Sequence, residues 1–222
     1  MITLALTLLP SIVILVVLIT SDKFKEPRGM ILYTFLLGFL LCFPAGILNF
    51  FLIWSHENPD NYTFLAGLSE ESLKFLCLYF FVKNKIAFNE PMDAIVYGTL
   101  ISLGFATYEN FEYVFIYNEE LELSSFEIAL VRSVTAIPLH ALCGIIMGYF
   151  FGLYVFRGGH FLLLKSIVLP IFFHGLYNFS ISFEPIFTVV LLLFLFFYAI
   201  KLHKEIRVAQ LEKITEEEKK YV

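Results

Sequence analysis

The apolar runs Ile2–Thr20 and Ile186–Ile200 constrain this chain more than any other feature. With 222 residues, 59% of them hydrophobic, a soluble core is too small to hide such runs from water. Charged residues make up 16%, against roughly 25% in an average soluble domain, and the mean hydropathy is +0.81. A lipid bilayer is the solvent that suits them. A helical crossing takes about 20 mostly apolar residues, so the length accommodates roughly six to eight crossings with short loops. In lipid every backbone polar group has to be satisfied within its own segment, so the expected fold is an all-α polytopic membrane helical bundle.

The interruptions between apolar runs place seven spans near 2–20, 31–54, 65–82, 94–116, 128–154, 161–178 and 185–200. No basic residue precedes the first run and no A-x-A-like cleavage pattern follows it, so it is expected to be a retained span rather than a signal peptide. Residues 1–200 are expected to form one transmembrane unit, and 201–222 a charged cytosolic tail, either a short helix or a disordered end. Cys42, Cys77 and Cys143 lie in separate apolar segments, which argues for packing rather than a disulfide or thiolate metal site. A net charge of −5 offers nothing to nucleic acid.

The distribution of basic residues is one-sided. Lys23, Lys25, Arg28, Lys83, Lys85, Arg157, Lys165, Lys201, Lys204, Arg207, Lys213, Lys219 and Lys220 fall on one side of the seven-span layout. The opposite loops and their edges carry Glu57, Asp60, Glu119, Glu120, Glu122, Glu127 and Glu184. By the positive-inside rule, the N-terminus is expected outside and the tail in the cytosol.

Two basic residues do not fit this pattern. Lys74 and Arg132 fall inside spans, together with Glu70, Glu71, Glu109, His140 and His174 and, near an outer end, Asn178. Each charge in the membrane interior costs at least about 2.5–3.5 kcal/mol. Repeated placement therefore implies mutual compensation around a polar cavity. On a helix Lys74 is in reach of both Glu70 and Glu71, whose side chains point about 100° apart, so one can face a site while the other is anchored. His140, His174 and one glutamate form a mixed nitrogen and oxygen donor set of the kind that suits zinc, with another glutamate as general base. A metal-free scheme, in which glutamate and histidine activate water directly, uses the same residues. Asn178 lies one turn beyond His174, where an amide can orient a substrate or support an oxyanion. The H-E-x-x-H signature of zinc hydrolases is absent.

These segments resemble the PrsW family of bacterial intramembrane proteases. The resemblance rests on Glu70-Glu71-x-x-Lys74, Asp93-Ala94-Ile95-Val96-Tyr97-Gly98 and Gly104-Phe105-Ala106-Thr107-Tyr108-Glu109-Asn110. It continues through His140-Ala141 with Gly144 and Gly148, then His174-Gly175-x-Tyr177-Asn178, and includes Glu26-Pro27 after the first span. It implies a multi-pass protein of the bacterial cell membrane whose paired glutamates and last histidine are essential. The implied reaction is site-1 cleavage of a single-span anti-sigma factor. On this reading Glu70 or Glu71 is the base, Lys74 fixes one of them, and Glu109, His140 and His174 bind zinc or polarise water. The type II CAAX prenyl endopeptidases are a more distant likeness, from which this chain departs by carrying Glu109 where they carry a histidine. Two other readings stay open from the sequence: a non-proteolytic membrane scaffold of the same superfamily, and a proton-coupled transporter.

Overall fold

The computed structural model describes residues 1–118, 123–181 and 184–219, with side chains to Leu211. Glu119, Glu120, Glu122 and Lys220, and the side chains of Lys213 and Lys219, lie outside the described residues. The described chain is helical throughout: α1 (Ile2–Ser21), α2 (Arg28–Asn49), α3 (Leu65–Cys77), α4 (Pro91–Phe115), α5 (Ser125–Val134), α6 (Ala136–Arg157), α7 (His160–Ile181) and α8 (Pro185–Lys219). Single π-helical turns extend α2 through Phe50–Trp54 and α3 through Leu78–Val82.

Among the described residues, five segments are long and apolar enough to cross a membrane: Ile2–Ser21, Arg28–Trp54, Ser125–Arg157, His160–Ile181 and Pro185–Leu211. The expected seven-span layout also counts α3 and α4. These two carry Glu70, Glu71 and Lys74, and Asp93, Glu109 and Glu112. At 25 residues α4 extends about 37 Å, longer than the hydrocarbon thickness. Most of its side chains are buried, and it packs on α1, α2, α3, α5, α6 and α8. The charged helices are thus sheathed by the apolar ones. Val17, Leu40, Phe51, Phe80, Phe187 and Phe197 are among the large apolar side chains left exposed, as a lipid-facing surface requires.

Local sequence sets the breaks. The single span expected at 128–154 is two helices, parted at Thr135. The Pro138 ring conflicts with the carbonyl of Val134, four residues back, and α5 ends on that residue. α4 starts at Pro91 behind a capping box in which Asp93 Oδ2 accepts from the backbone N–H groups of Asn89 and Glu90. α6 ends at Gly158 and Gly159, both at positive φ, and the chain turns directly into α7. α8 passes the boundary expected at residue 200 without interruption, and Leu202 and Ile206 join the core.

Close helix approach needs small residues, because lipid tails supply no hydrophobic drive between helices. On α6, Gly144, Gly148 and Gly152 form such a stripe against α4. A Cβ on Gly148 would strike the backbone of Ala94 and Ile95, and one on Gly144 would meet Thr99 Cα at 2.8 Å. Gly67 of α3 lies equally close to α7, where a Cβ would come within 2.5 Å of Gly175 N. Gly148→Val is therefore expected to destabilise the protein by about 1–3 kcal/mol through overpacking. Gly46→Ala, where nothing lies within 4 Å, is expected to be neutral or mildly stabilising. Reversible unfolding in detergent micelles measures both.

Candidate active site

The convergence of α3, α4, α6 and α7 buries the charges that the apolar sequence could not otherwise tolerate. Lys74 lies within α3 with no exposure to solvent. Its Nζ is 2.7 Å from Glu71 Oε1, 3.8 Å from Glu70 Oε2 and 2.9 Å from His140 Nδ1 on α6. The ring of Phe105 on α4 lies 4.2 Å from the ammonium, a cation–π contact strengthened by exclusion of water. Helical spacing places both glutamates near Lys74, as expected. Only the tertiary fold could add His140.

The histidines take different partners. An ammonium only donates, so His140 Nδ1 accepts from Lys74. The ring proton then belongs on Nε2, which faces Glu109 Oε2 at 3.0 Å. His174 on α7 directs Nδ1 to Glu71 Oε1 at 2.8 Å, which leaves Nε2 facing Glu70 Oε2 at 3.8 Å. A carboxylate behind one imidazole nitrogen, with the other turned to the site, is the arrangement that orients metal-binding or water-activating histidines. The two rings meet edge to face with centroids 4.9 Å apart.

Glu70 and Glu71 are both buried yet differently held. Asn49, on the last turn of α2, donates to Glu70 Oε1 at 3.1 Å, and the Ser69 hydroxyl in turn donates to the Asn49 carbonyl. The second oxygen of each carboxylate, Oε2, is buried without a hydrogen-bond partner. Glu109 is anchored on its far side by Arg132 of α5, whose Nη2 donates to Oε2 at 2.7 Å while Nε donates to Asn110 Oδ1 at 2.9 Å. The guanidinium also rests 3.9 Å from the centroid of Tyr113.

The structure brings five of the six candidate residues, Glu70, Glu71, Glu109, His140 and His174, into one cluster. Asn178 stands apart: its Nδ2 donates to the carbonyl of Thr63 at 3.1 Å and ties α7 to the turn preceding α3. The partition of glutamates also differs from expectation. Ligand atoms of Glu70, His140 and His174 lie within 4.8 Å of one another, whereas Glu109 is engaged by Arg132 and His140. Sequence reasoning flagged Arg132 only as a charge inside a span and gave it no partner. Asn49 and Ser69 carried no signal, because nothing in the chain order joins α2 to Glu70.

Two observations test whether a cation fits. Three glutamates face two permanent cations, Lys74 and Arg132, which leaves formal negative charge in excess. The orphaned Oε2 atoms of Glu70 and Glu71 supply buried acceptors. With two imidazoles, the donor set matches the nitrogen and oxygen preference of zinc.

Residues 26–201 match the model of the PrsW family of intramembrane metalloproteases. The chain belongs to this family. It is 36% identical over 175 residues to Protease PrsW of Geobacillus kaustophilus, covering 76% of this chain and 75% of that protein. Protease PrsW of Bacillus subtilis is 35% identical over 182 residues, covering 78% and 79%. Protease PrsW of Oceanobacillus iheyensis is 33% identical over 188 residues, covering 82% and 84%. No solved structure matches. The buried cluster thus lies within the PrsW-matched segment of a multi-pass membrane protein, and the family implies an intramembrane protease.

Two outcomes test this site. Zinc content of purified protein, read by elemental analysis, is expected to fall in Glu70→Gln and in His174→Ala but to persist in Glu109→Gln. Lys74→Met strands the Glu71 carboxylate and is expected to cost about 3–5 kcal/mol, as breaking buried pairs does, measured by unfolding in micelles.

Proposed function

We propose that the chain is an endopeptidase that cuts single-span membrane proteins beside the outer membrane surface. The substrate class implied by the family resemblance is a membrane-bound anti-sigma factor. The observation that carries the reading is the state of Glu71, a fully buried carboxylate with one oxygen held by Lys74 and His174 and the other without a partner. A structural ion pair would satisfy both oxygens. An acceptor kept free beside two histidines suits proton transfer.

Glu70, His140 and His174 would hold the metal, His140 through Nδ1 once the Lys74 ammonium gives up that nitrogen to the ion. A zinc-class ion bound there supplies Lewis acidity and lowers the pKa of its water to about 7. Glu71 then acts as general base through Oε2, taking the proton of the attacking water and later passing it to the leaving amine. Lys74 holds Glu71 in place and offsets its charge. Arg132 fixes Glu109, and Glu109 in turn fixes the tautomer of His140. Asn178 braces the mouth of the site between α7 and the approach to α3, a positioning role in place of the oxyanion role expected from the sequence.

The side of cleavage follows from charge. Positive-inside counting sets the start of α3 and the ends of α4 and α7 at the outer surface. Glu70 and Glu71 lie early in α3, and Glu109 and His174 late in α4 and α7. Together these support a site in the outer half of the bilayer, with the N-terminus outside and the C-terminus in the cytosol.

In proteoliposomes with a single-span substrate, Glu71→Gln and His174→Ala are expected to lower the cleavage rate by about 10²–10⁴, the range for loss of acid–base catalysis. Near wild-type rates would refute the assignment. Mass spectrometry of the products is expected to place the new termini in the extracytoplasmic juxtamembrane segment, and termini on the cytosolic side would refute the orientation.

A further inference from the structure

A second polar cluster lies at the other end of α4. Asp93 is sixteen residues from Glu109 on this helix, about 24 Å away. Asp22 caps the C-terminus of α1, and Glu26 lies in the connection to α2. One oxygen from each of Asp22, Glu26 and Asp93 falls within 4.8 Å of the other two. Asp22 and Asp93 are buried, and Glu26 is half-buried.

Among the described residues, none of these three carboxylates has a lysine or arginine within ion-pair distance. Lys25, the nearest in sequence, instead donates to the backbone carbonyls of Ile19 and Asp22. Tyr97 donates its hydroxyl proton to Glu26 Oε2, and the other close neighbours of that carboxyl, Asp22 and Asp93, are acids themselves. Carboxylates crowded in this way need either protons or a cation.

An independent side chain indicates which. Gln210 reaches the cluster from the C-terminal half of α8, and it is 4% exposed. Its Nε2 donates to Asp22 Oδ1 at 3.0 Å and also to Glu90, but its Oε1 is buried without a partner. Asp22 Oδ2 is likewise buried and unpartnered. The cluster thus holds a buried carboxylate oxygen of Asp22 with no partner, and the Gln210 side chain that bonds Asp22 brings a second, neutral unpartnered oxygen beside it. Beside them opens a cleft of about 620 Å³ lined by Glu26, Asp93, Asn84 and Asn89, among others, wide enough for a hydrated ion to enter.

We infer that Asp22, Glu26 and Asp93, with Gln210, form a binding site for a hard divalent cation of the magnesium, calcium and manganese class. The donors of the group are all oxygens, which these ions prefer. The ion ties the α1–α2 connection to the start of α4 and to α8, so its role is to lock this end of the bundle.

The test uses the full-length chain in micelles, stripped with EDTA and titrated with Mn²⁺ (followed by electron paramagnetic resonance), Mg²⁺ or Ca²⁺. Beyond any ion taken up by the intramembrane cluster, saturable binding of one further ion is expected, together with a rise in unfolding temperature. Asp22→Asn and Glu26→Gln should each weaken binding by more than the roughly tenfold that loss of an outer partner costs. Glu70→Gln, at the intramembrane cluster, should leave it unchanged. Gln210→Glu adds a carboxylate and should tighten binding, so the idea stays testable if an Asp22 variant fails to fold. Absence of saturable binding at millimolar ion would overturn the site and leave a proton-sharing carboxyl pair. Binding that survives in Asp22→Asn with Glu26→Gln, or is lost in Glu70→Gln, would also overturn it.

Discussion

Lys74 carries an ammonium group, with no exposure to solvent, into the centre of the bundle, and the arrangement of four helices answers to that placement. Alone, a buried ion costs several kcal/mol even after relaxation. Here Glu71 and Glu70 come from its own helix, His140 from α6, and the face of Phe105 from α4. His174 closes the network from α7 by bonding Glu71. Separating α3 from α6 or α7, or α4 from α6, would strand a charge or a buried donor. Arg132 repeats the logic on α5, with Glu109, Asn110 and Tyr113 as its partners.

Such pairing demands backbone approach closer than ordinary side chains permit, and this explains where the glycines lie. Gly67 admits α7 next to Glu70 and Glu71, and Gly175 directly follows His174. The stripe Gly144, Gly148 and Gly152 seats α6 on α4 and thereby sets the depth of His140. Packing and the polar cluster are coupled at these positions: a methyl group added at Gly67 would clash with the backbone of Ile171 and Gly175 and so push α7, with His174, away from Glu70 and Glu71.

The reach of the sequence was uneven, for physical reasons. Apolar runs and the charges inside them were legible, because a bilayer penalises both water-exposed backbone and unpaired ions. Glu70, Glu71 and Lys74 were legible as a unit because one helix holds all three. The break at Thr135 was missed because the hydrophobic run passes straight through it, although Pro138 was the available sign. The continuation of α8 was missed because charge was read as a departure from the bundle, while Leu202, Ile206 and Gln210 return one face of the helix to it. Which glutamate accompanies the histidines is decided by Arg132, a contact across 23 residues between separate helices. No periodicity encodes that.

The two polar clusters solve the same electrostatic problem by different means, and their locations account for the difference. Inside the bundle no free ion is at hand while the chain is folding into lipid, so the carboxylates there carry their own cations, Lys74 and Arg132, as side chains. The excess charge that remains is confined to Glu70 and Glu71, beside the histidines. At the far end of α4 the groups border the aqueous phase through an open cleft, and among the described residues the carboxylates of Asp22, Glu26 and Asp93 have no basic side chain as an ion-pair partner. A solvent-supplied counter-ion can serve there because it can come and go. Side-chain cations therefore hold Glu71 and Glu109 in the buried cluster, while the carboxylates at the opposite end of the same helix are left to the solution.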